Sequence, residues 1–263
     1  MQSIKSKDGT VIAFEKTGSG PPMVLVHGTP DDHSYWEMAQ PALAKYFTVY
    51  AIDRRGRGQS GDAADYKLEL EFDDVTAVVD MIGQQVILVG HSHGGIVSLE
   101  AATRTKNLSK LILYEPPIMN GGEEPDNSLL NAVANIETSL KEGKNEQALL
   151  LFQKDLVGMP PDDIENERST PYWQVTVNAA PTLPRELKAI AEYEFDATRF
   201  NGLSIPTLLL TGSESPMLFK EAINKLGNTL PNSKIITLEE QEHDAARTAP
   251  DLFADKVIKF ARE

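Results

Sequence analysis

The sequence predicts an α/β architecture: a mostly parallel sheet of the eight-stranded type, flanked by helices on both faces, with a helical segment inserted in the second half of the chain. Three observations carry this. Six short apolar runs alternate with helix-compatible stretches, a hairpin signal precedes them, and the alternation stops between about residues 118 and 200 before it resumes. Alternation of this kind predicts parallel strands joined by crossover helices, and strands covered on both faces read as continuous apolar runs.

The elements follow in order. Gln2 to Ser6 and Val11 to Lys16 flank the turn signal Asp8-Gly9 and form an antiparallel hairpin at the sheet edge. Strands are expected at Met23 to Val26, Thr48 to Ile52, Val86 to Val89, Leu111 to Tyr114, Thr207 to Leu210 and Lys234 to Leu238. Helices are expected at 34–45, 67–83, 93–105, 216–227 and 249–262. Gly121-Gly122-Glu123-Glu124-Pro125 opens the interruption, and helical segments at 127–142, 145–156 and 184–194 sit between turns such as Met159-Pro160-Pro161. The division is a core of residues 1–117 and 201–263 with a helical cap at 118–200. Longer crossover helices are the plainer alternative, but segments that carry function favour this side of a parallel sheet.

Composition narrows the function. With 263 residues the chain suits one α/β domain with a modest insertion. Its 39 acidic and 25 basic side chains give a net charge of −14, so nucleic acid and anionic membrane surfaces are not expected partners. The absence of cysteine removes thiolate nucleophiles, disulfides and cysteine-held metals together. No apolar run approaches the roughly 20 residues needed to cross a bilayer, and residues 1–22 lack a signal-peptide pattern. The expectation is a soluble cytoplasmic protein. None of these patterns speaks to oligomeric state.

The most specific chemistry lies in Gly90-His91-Ser92-His93-Gly94. A Gly-x-Ser-x-Gly run alone is weak, but here the apolar run Val86 to Val89 enters it and the helix pattern of Gly95 to Ala102 leaves it. That context is a strand, a sharp turn and a helix, which lifts the serine hydroxyl clear of the backbone. Gly90 and Gly94 let the chain turn and the helix pack closely. The helix N-terminus favours negative charge beside Ser92.

With these residues in view the chain resembles the α/β-hydrolase superfamily. Val24-Leu25-Val26-His27-Gly28-Thr29-Pro30 looks like its His-Gly-x-Pro oxyanion loop, and Asp53-Arg54-Arg55-Gly56-Arg57-Gly58-Gln59-Ser60 resembles its Asp-x-Arg-Gly-x-Gly-x-Ser turn. The resemblance implies Ser92 as nucleophile, with the backbone amides of Thr29 and His93 as the oxyanion hole. Asp53 and Arg54 would brace the turn and the oxyanion loop. The family's chain order puts the base after the acid, and of five histidines only His243 follows the elbow. His27, His33, His91 and His93 are given no proton-transfer role. The acid is open between two positions. Leu208-Leu209-Leu210-Thr211-Gly212-Ser213-Glu214-Ser215 places Ser215 where the family commonly carries aspartate, which leaves Glu214 beside it. Glu115, 23 residues after Ser92 at the end of the next strand, resembles the acid of haloalkane dehalogenases and zearalenone-lactone hydrolases and is preferred.

The expected activity is hydrolysis of a carboxylic ester or lactone of a small, largely apolar molecule, with no cofactor and no metal. Serine at the elbow argues against haloalkane dehalogenase and epoxide hydrolase chemistry, which resemble this fold with aspartate there. Carbon–carbon, thioester and amide hydrolysis and perhydrolysis use the same residues and stay open, as does a non-catalytic small-molecule binding protein on this scaffold. Gly28, His33, Trp36 and Trp173 are expected at the substrate pocket. Tyr172, Phe152, Met159 and residues 179–183 are read as either pocket wall or ordinary cap core.

Overall fold

The computed structural model describes residues 1–118 and 127–263. Eight strands form one sheet: β1 (Gln2–Lys5), β2 (Val11–Gly18), β3 (Pro22–Val26), β4 (Thr48–Ile52), β5 (Val86–His91), β6 (Leu108–Tyr114), β7 (Thr207–Gly212) and β8 (Ser233–Leu238). Their order across the sheet is β1-β2-β4-β3-β5-β6-β7-β8. The β1/β2 and β2/β4 pairs are antiparallel, and every pair from β4 onward is parallel. The expected fold class is therefore observed.

Successive side chains leave a strand on opposite faces, so each central strand feeds two cores. Val24 and Val26 of β3 and Val86 and Leu88 of β5 pack into one cluster, while Met23, Leu25, Ile87 and Val89 pack into the other. The second face is covered by a 3-10 turn (His33–Trp36), α1 (Gln40–Leu43) and helices from the end of the chain. The first is covered by α2 (Leu68–Ile82), α3 (His93–Ala101) and a helix that follows β7.

Between β6 and β7 lie α4 (Asn127–Lys141), α5 (Asn145–Leu151), a π turn (Phe152–Val157), α6 (Pro161–Arg168), α7 (Tyr172–Ala179) and α8 (Leu183–Ala191). These helices share a third apolar cluster that includes Val133, Ile136, Leu149, Trp173 and Leu183. The turn read at Gly121 to Pro125 lies outside the described residues. After β7 come α9 (Met217–Thr229), α10 (Ala245–Thr248) and α11 (Pro250–Arg262). Among the described residues, no helix is long and apolar enough to cross a membrane.

Two expectations need correction. The single helix expected at 34–45 is a 3-10 turn and a four-residue helix, because Asp32 caps Ser34 and starts a tight turn that ends before α1, which has Pro41 in its first turn. The insertion contains α6 and α7, which no apolar period announced; α6 buries none of its residues.

Candidate active site

Strand β5 ends at His91 and α3 starts at His93, so Ser92 is the single joint between them, at φ 52° and ψ −125°. A non-glycine residue in this region is strained by roughly 1–3 kcal/mol and persists only where its surroundings hold it. Here the Ser92 amide donates to the Tyr114 carbonyl at 2.9 Å, and the Ser92 carbonyl accepts from the Gly95 amide at 2.7 Å. Close approach does the rest. A Cβ on Gly94 would lie 2.4 Å from the carbonyl oxygens of Val26 and His27, so only glycine lets α3 sit this tightly on β3.

Glu115 occupies the corresponding joint after β6, also at positive φ (47°). Its Oε1 accepts from the Thr211 hydroxyl and the Gly212 amide, both at 2.8 Å, and its Oε2 accepts from His243 Nδ1 at 2.7 Å. Burial alone would raise the pKa of this carboxyl. The bond from His243 and the neighbouring donors outweigh it and hold Glu115 below the usual carboxylate range. Glu214 behaves differently: it is exposed and accepts from the Ser213 hydroxyl at 3.0 Å. Ser215 turns inward and is buried beside Gly212. Of the two glutamates proposed from the sequence, the geometry pairs His243 with Glu115.

The loop that carries His243 is pinned from below. The Tyr114 hydroxyl donates to the Glu242 carbonyl and accepts from the Ala245 amide at 3.2 Å, and His91 Nε2 donates to the His243 carbonyl at 2.9 Å. Phe219 stacks on the His243 ring at 4.1 Å between centroids. His91 itself lies flat against Tyr35, 4.5 Å away, where burial and then the neighbouring His243 push its pKa well down and keep it neutral.

Ser92 and His243 open onto one cavity of about 290 Å³, roughly the lower end for a small-molecule site. Leu129, Phe152, Leu156, Leu187 and Ile190 from the insertion and Leu218 from α9 form its apolar walls. Thr29 lies at its edge. Among the described residues, neither the Thr29 nor the His93 amide has a protein acceptor. Tyr172, Phe152 and Met159 also line the cavity.

Four pocket expectations are corrected. Gly28 is behind the nucleophile, where an added Cβ would meet Ser92 Cβ at 2.9 Å. His33 is bonded to Asp53 at 2.6 Å, which raises its pKa, and is not part of the cavity wall. Trp36 is fully buried in the sheet core, 5.9 Å from Phe253, and Trp173 belongs to the apolar cluster of the insertion. The two tryptophans fill core, while Gly28 and His33 support the motifs that flank the nucleophile. Residues 179–183 likewise do not line the cavity. Sequence reasoning missed a polar wall of Asp31, Gln153, Glu167, Asp244 and Arg247. The Tyr172 hydroxyl donates to Asp31, and Arg247 lies 3.4 Å over the Tyr172 ring. Burial and then Asp244 raise the Asp31 pKa well above the ordinary range. Only the place of Asp31 directly after the His-Gly-Thr-Pro loop could have signalled this.

Asp32, His33 and Asp53 could together offer three metal-ligand atoms. Those of His33 and Asp53 already bond each other, and the second Asp53 oxygen accepts from the Gln59 amide at 2.9 Å.

Residues 23–256 match the sequence model of the alpha/beta hydrolase family. The chain belongs to this family. An alpha/beta hydrolase from Sphaerobacter thermophilus DSM 20745 is 35% identical, with a TM-score of 0.85 over 98% of this chain and 99% of that one. The pimeloyl-[acyl-carrier protein] methyl ester esterase of Aeromonas hydrophila subsp. hydrophila is 26% identical over 259 residues, 95% of this chain and 98% of that protein. An uncharacterized protein of Mycobacterium tuberculosis is 36% identical over 143 residues, 52% of this chain but only 39% of that protein's length. Hydrolase activity is the common ground of this family's named members among these relatives.

Proposed function

We propose that this alpha/beta hydrolase is a serine hydrolase that cleaves a carboxylic ester or lactone of a small, largely apolar molecule through an acyl-enzyme. The observation that carries the reading is the His243 ring, bonded through Nδ1 to Glu115 and sharing the cavity of Ser92. With Nδ1–H donated to the carboxylate, Nε2 is left as the base. Ser92 Oγ attacks the ester carbonyl as its proton passes to Nε2. The tetrahedral oxyanion then accepts from the Thr29 and His93 amides, a stabilisation for which each donor is worth roughly 10²–10³ in rate. His243 returns the proton to the departing alkoxide, the acyl group stays on Ser92, and a water activated by His243 releases the acid.

The insertion acts as a cap in this scheme, because apolar side chains from it, among them Leu129, Phe152, Leu156, Leu187 and Ile190, line the cavity of Ser92. A volume of about 290 Å³ suits a modest acyl chain or a lactone ring. The methyl ester esterase that is 26% identical along nearly the whole chain supports ester over thioester, amide or carbon–carbon cleavage.

The test combines labelling with a substrate panel. A fluorophosphonate probe should modify Ser92 in wild-type protein and leave Ser92→Ala untouched, and short and medium p-nitrophenyl esters or lactones should turn over. A folded wild-type protein that neither takes the probe nor hydrolyses any of these would overturn the reading.

A further inference from the structure

The two residues whose amides face the expected oxyanion are tied, through their side chains, into one buried charge network. Arg54 is at its centre. Its Nε and Nη2 donate to Glu71 at 2.6 and 2.8 Å, Nη2 also lies 3.2 Å from Glu186, and Nη1 donates to the Gly28 carbonyl at 3.0 Å. Glu71 reaches His93 Nε2 at 3.2 Å. Glu186 accepts from the Thr29 hydroxyl and, at 2.8 Å, from Arg57 Nη2. Arg54, Glu71, His93 and Glu186 are each at most 1% exposed.

The geometry at Gly28 gives this network a consequence for chemistry. The Gly28 carbonyl accepts from Arg54, from His27 Nδ1 at 2.8 Å and from the Asp31 amide at 3.3 Å. In a trans peptide the carbonyl and the following N–H point in opposite directions. Donors that fix the Gly28 carbonyl therefore also fix the direction of the Thr29 N–H. Glu186 acts on both ends of this unit, holding Thr29 by its hydroxyl and Arg54 by its charge. It comes from α8, within the insertion. Without that carboxylate, two buried guanidiniums would face Glu71 alone and repel each other.

We propose that Glu186 is a positioning residue for the oxyanion loop, so that the docking of α8 on the core and the alignment of the Thr29 amide are one event. The proposal rests on the acyl-transfer reading above. A hydrogen-bond donor to a developing oxyanion works only when it is held within a few tenths of an ångström of its place, and Glu186 supplies that hold from outside the core.

Thr29→Val, Thr29→Ser, Glu186→Gln and wild type separate positioning from mere adhesion. The readouts are kcat and KM on one ester, and affinity for a matching trifluoromethyl ketone. In that adduct Ser92 Oγ bonds the ketone carbon, its proton passes to His243, and the ketone oxygen becomes the oxyanion. Thr29→Val keeps the amide and the shape but loses the tether, so kcat should fall about tenfold or more with KM within about twofold, as for an interaction made in the transition state. Ketone affinity should fall in parallel, Thr29→Ser should recover most of both, and Glu186→Gln should move in the direction of Thr29→Val. If thermal stability drops in Thr29→Val and Glu186→Gln while kcat and ketone affinity stay at wild-type values, the proposal is overturned. Should Glu186→Gln fail to fold, the two Thr29 variants decide. A wild-type protein inert to fluorophosphonate and to esters overturns the proposed function first, and this proposal with it.

Discussion

Glu115 reaches His243 from the end of β6 rather than from the loop after β7, and its two oxygens are both occupied by donors. A carboxylate so held stabilises an imidazolium without taking its proton. Glu115→Gln should therefore lower kcat by as much as about 10⁴, the loss on neutralising such a carboxylate. Exposed Glu214→Gln should leave kcat within about twofold. Steady-state kinetics on one ester checks both, and the reverse outcome would transfer the role to Glu214. The preference for Glu115 was legible because its place at the end of the strand after the elbow, 23 residues beyond Ser92, resembles the acid position of haloalkane dehalogenases and zearalenone-lactone hydrolases. That Ser215 turns inward and Glu214 outward was not, since neighbouring loop residues carry no periodic signal of direction. His91 offers a pH signature of its own. The fold holds it neutral, below its ordinary pKa near 6.5, whereas the unfolded chain protonates it there. The unfolded state then binds the extra proton, so the neutral-histidine contribution is full above about pH 6.5 and is lost as pH falls through 6 and 5. His91→Asn removes the titration but keeps a donor for the His243 carbonyl. Urea unfolding from pH 7 to 5 should show the wild-type-minus-variant stability difference shrinking slowly at first and then, below about pH 6, at a rate approaching about 1.4 kcal/mol per pH unit. A difference that stays constant would mean the ring titrates alike in both states.

Strands were the most readable elements because their runs are apolar on both faces and end in turn residues. All six central runs coincide with β3 to β8 to within a few residues. Helices fared less evenly. α11 and α4 carry strong apolar stripes, but α6, Pro-Asp-Asp-Ile-Glu-Asn-Glu-Arg, has a single interior apolar side chain, Ile164, which packs on the cluster of the insertion. The nucleophile elbow was legible from its spacing together with the apolar run before it and the helix pattern after it, and its glycines show why. Gly94→Ala would press a methyl against the Val26 and His27 carbonyls, which are backbone atoms and cannot swing away. The expected cost is about 1–3 kcal/mol of overpacking, with reduced fluorophosphonate labelling as α3 and Ser92 shift together. Gly202→Ala provides the control: an added Cβ there meets nothing within 4 Å, so stability should change by less than about 0.5 kcal/mol. Denaturant midpoints for the two variants test the contrast. Equal midpoints would show that the α3/β3 approach is not tight.

At the scale of the whole molecule, the sequence gives no sign of how the insertion meets the core. A net charge of −14 suggests solvated charge everywhere, yet Arg54, Arg55 and Arg57 are buried. Glu186 and Arg57 lie 129 residues apart, a separation at which no spacing rule operates. Two of the attachments between the insertion and the turn after β4 differ in kind. Arg57 bonds Glu186 and the Thr182 hydroxyl out of contact with water, whereas Arg185 pairs with Asp62 at a partly exposed site, at 2.8 Å. Removing one partner of a buried pair strands a charge and costs about 3–5 kcal/mol, while an exposed pair is worth about 0–1 kcal/mol. Arg57→Ala should thus lower the urea midpoint strongly and speed proteolysis within residues 127–191, with Asp62→Ala close to wild type in both. The link between attachment and chemistry adds a second expectation. Because Glu186 also holds Thr29, Arg57→Ala should lose activity at urea concentrations below those that unfold the sheet, as the insertion lifts and the oxyanion loop relaxes before the core opens. Activity and far-ultraviolet circular dichroism followed together through the titration would show the gap. Coincident curves would mean that the insertion and the core open as one unit.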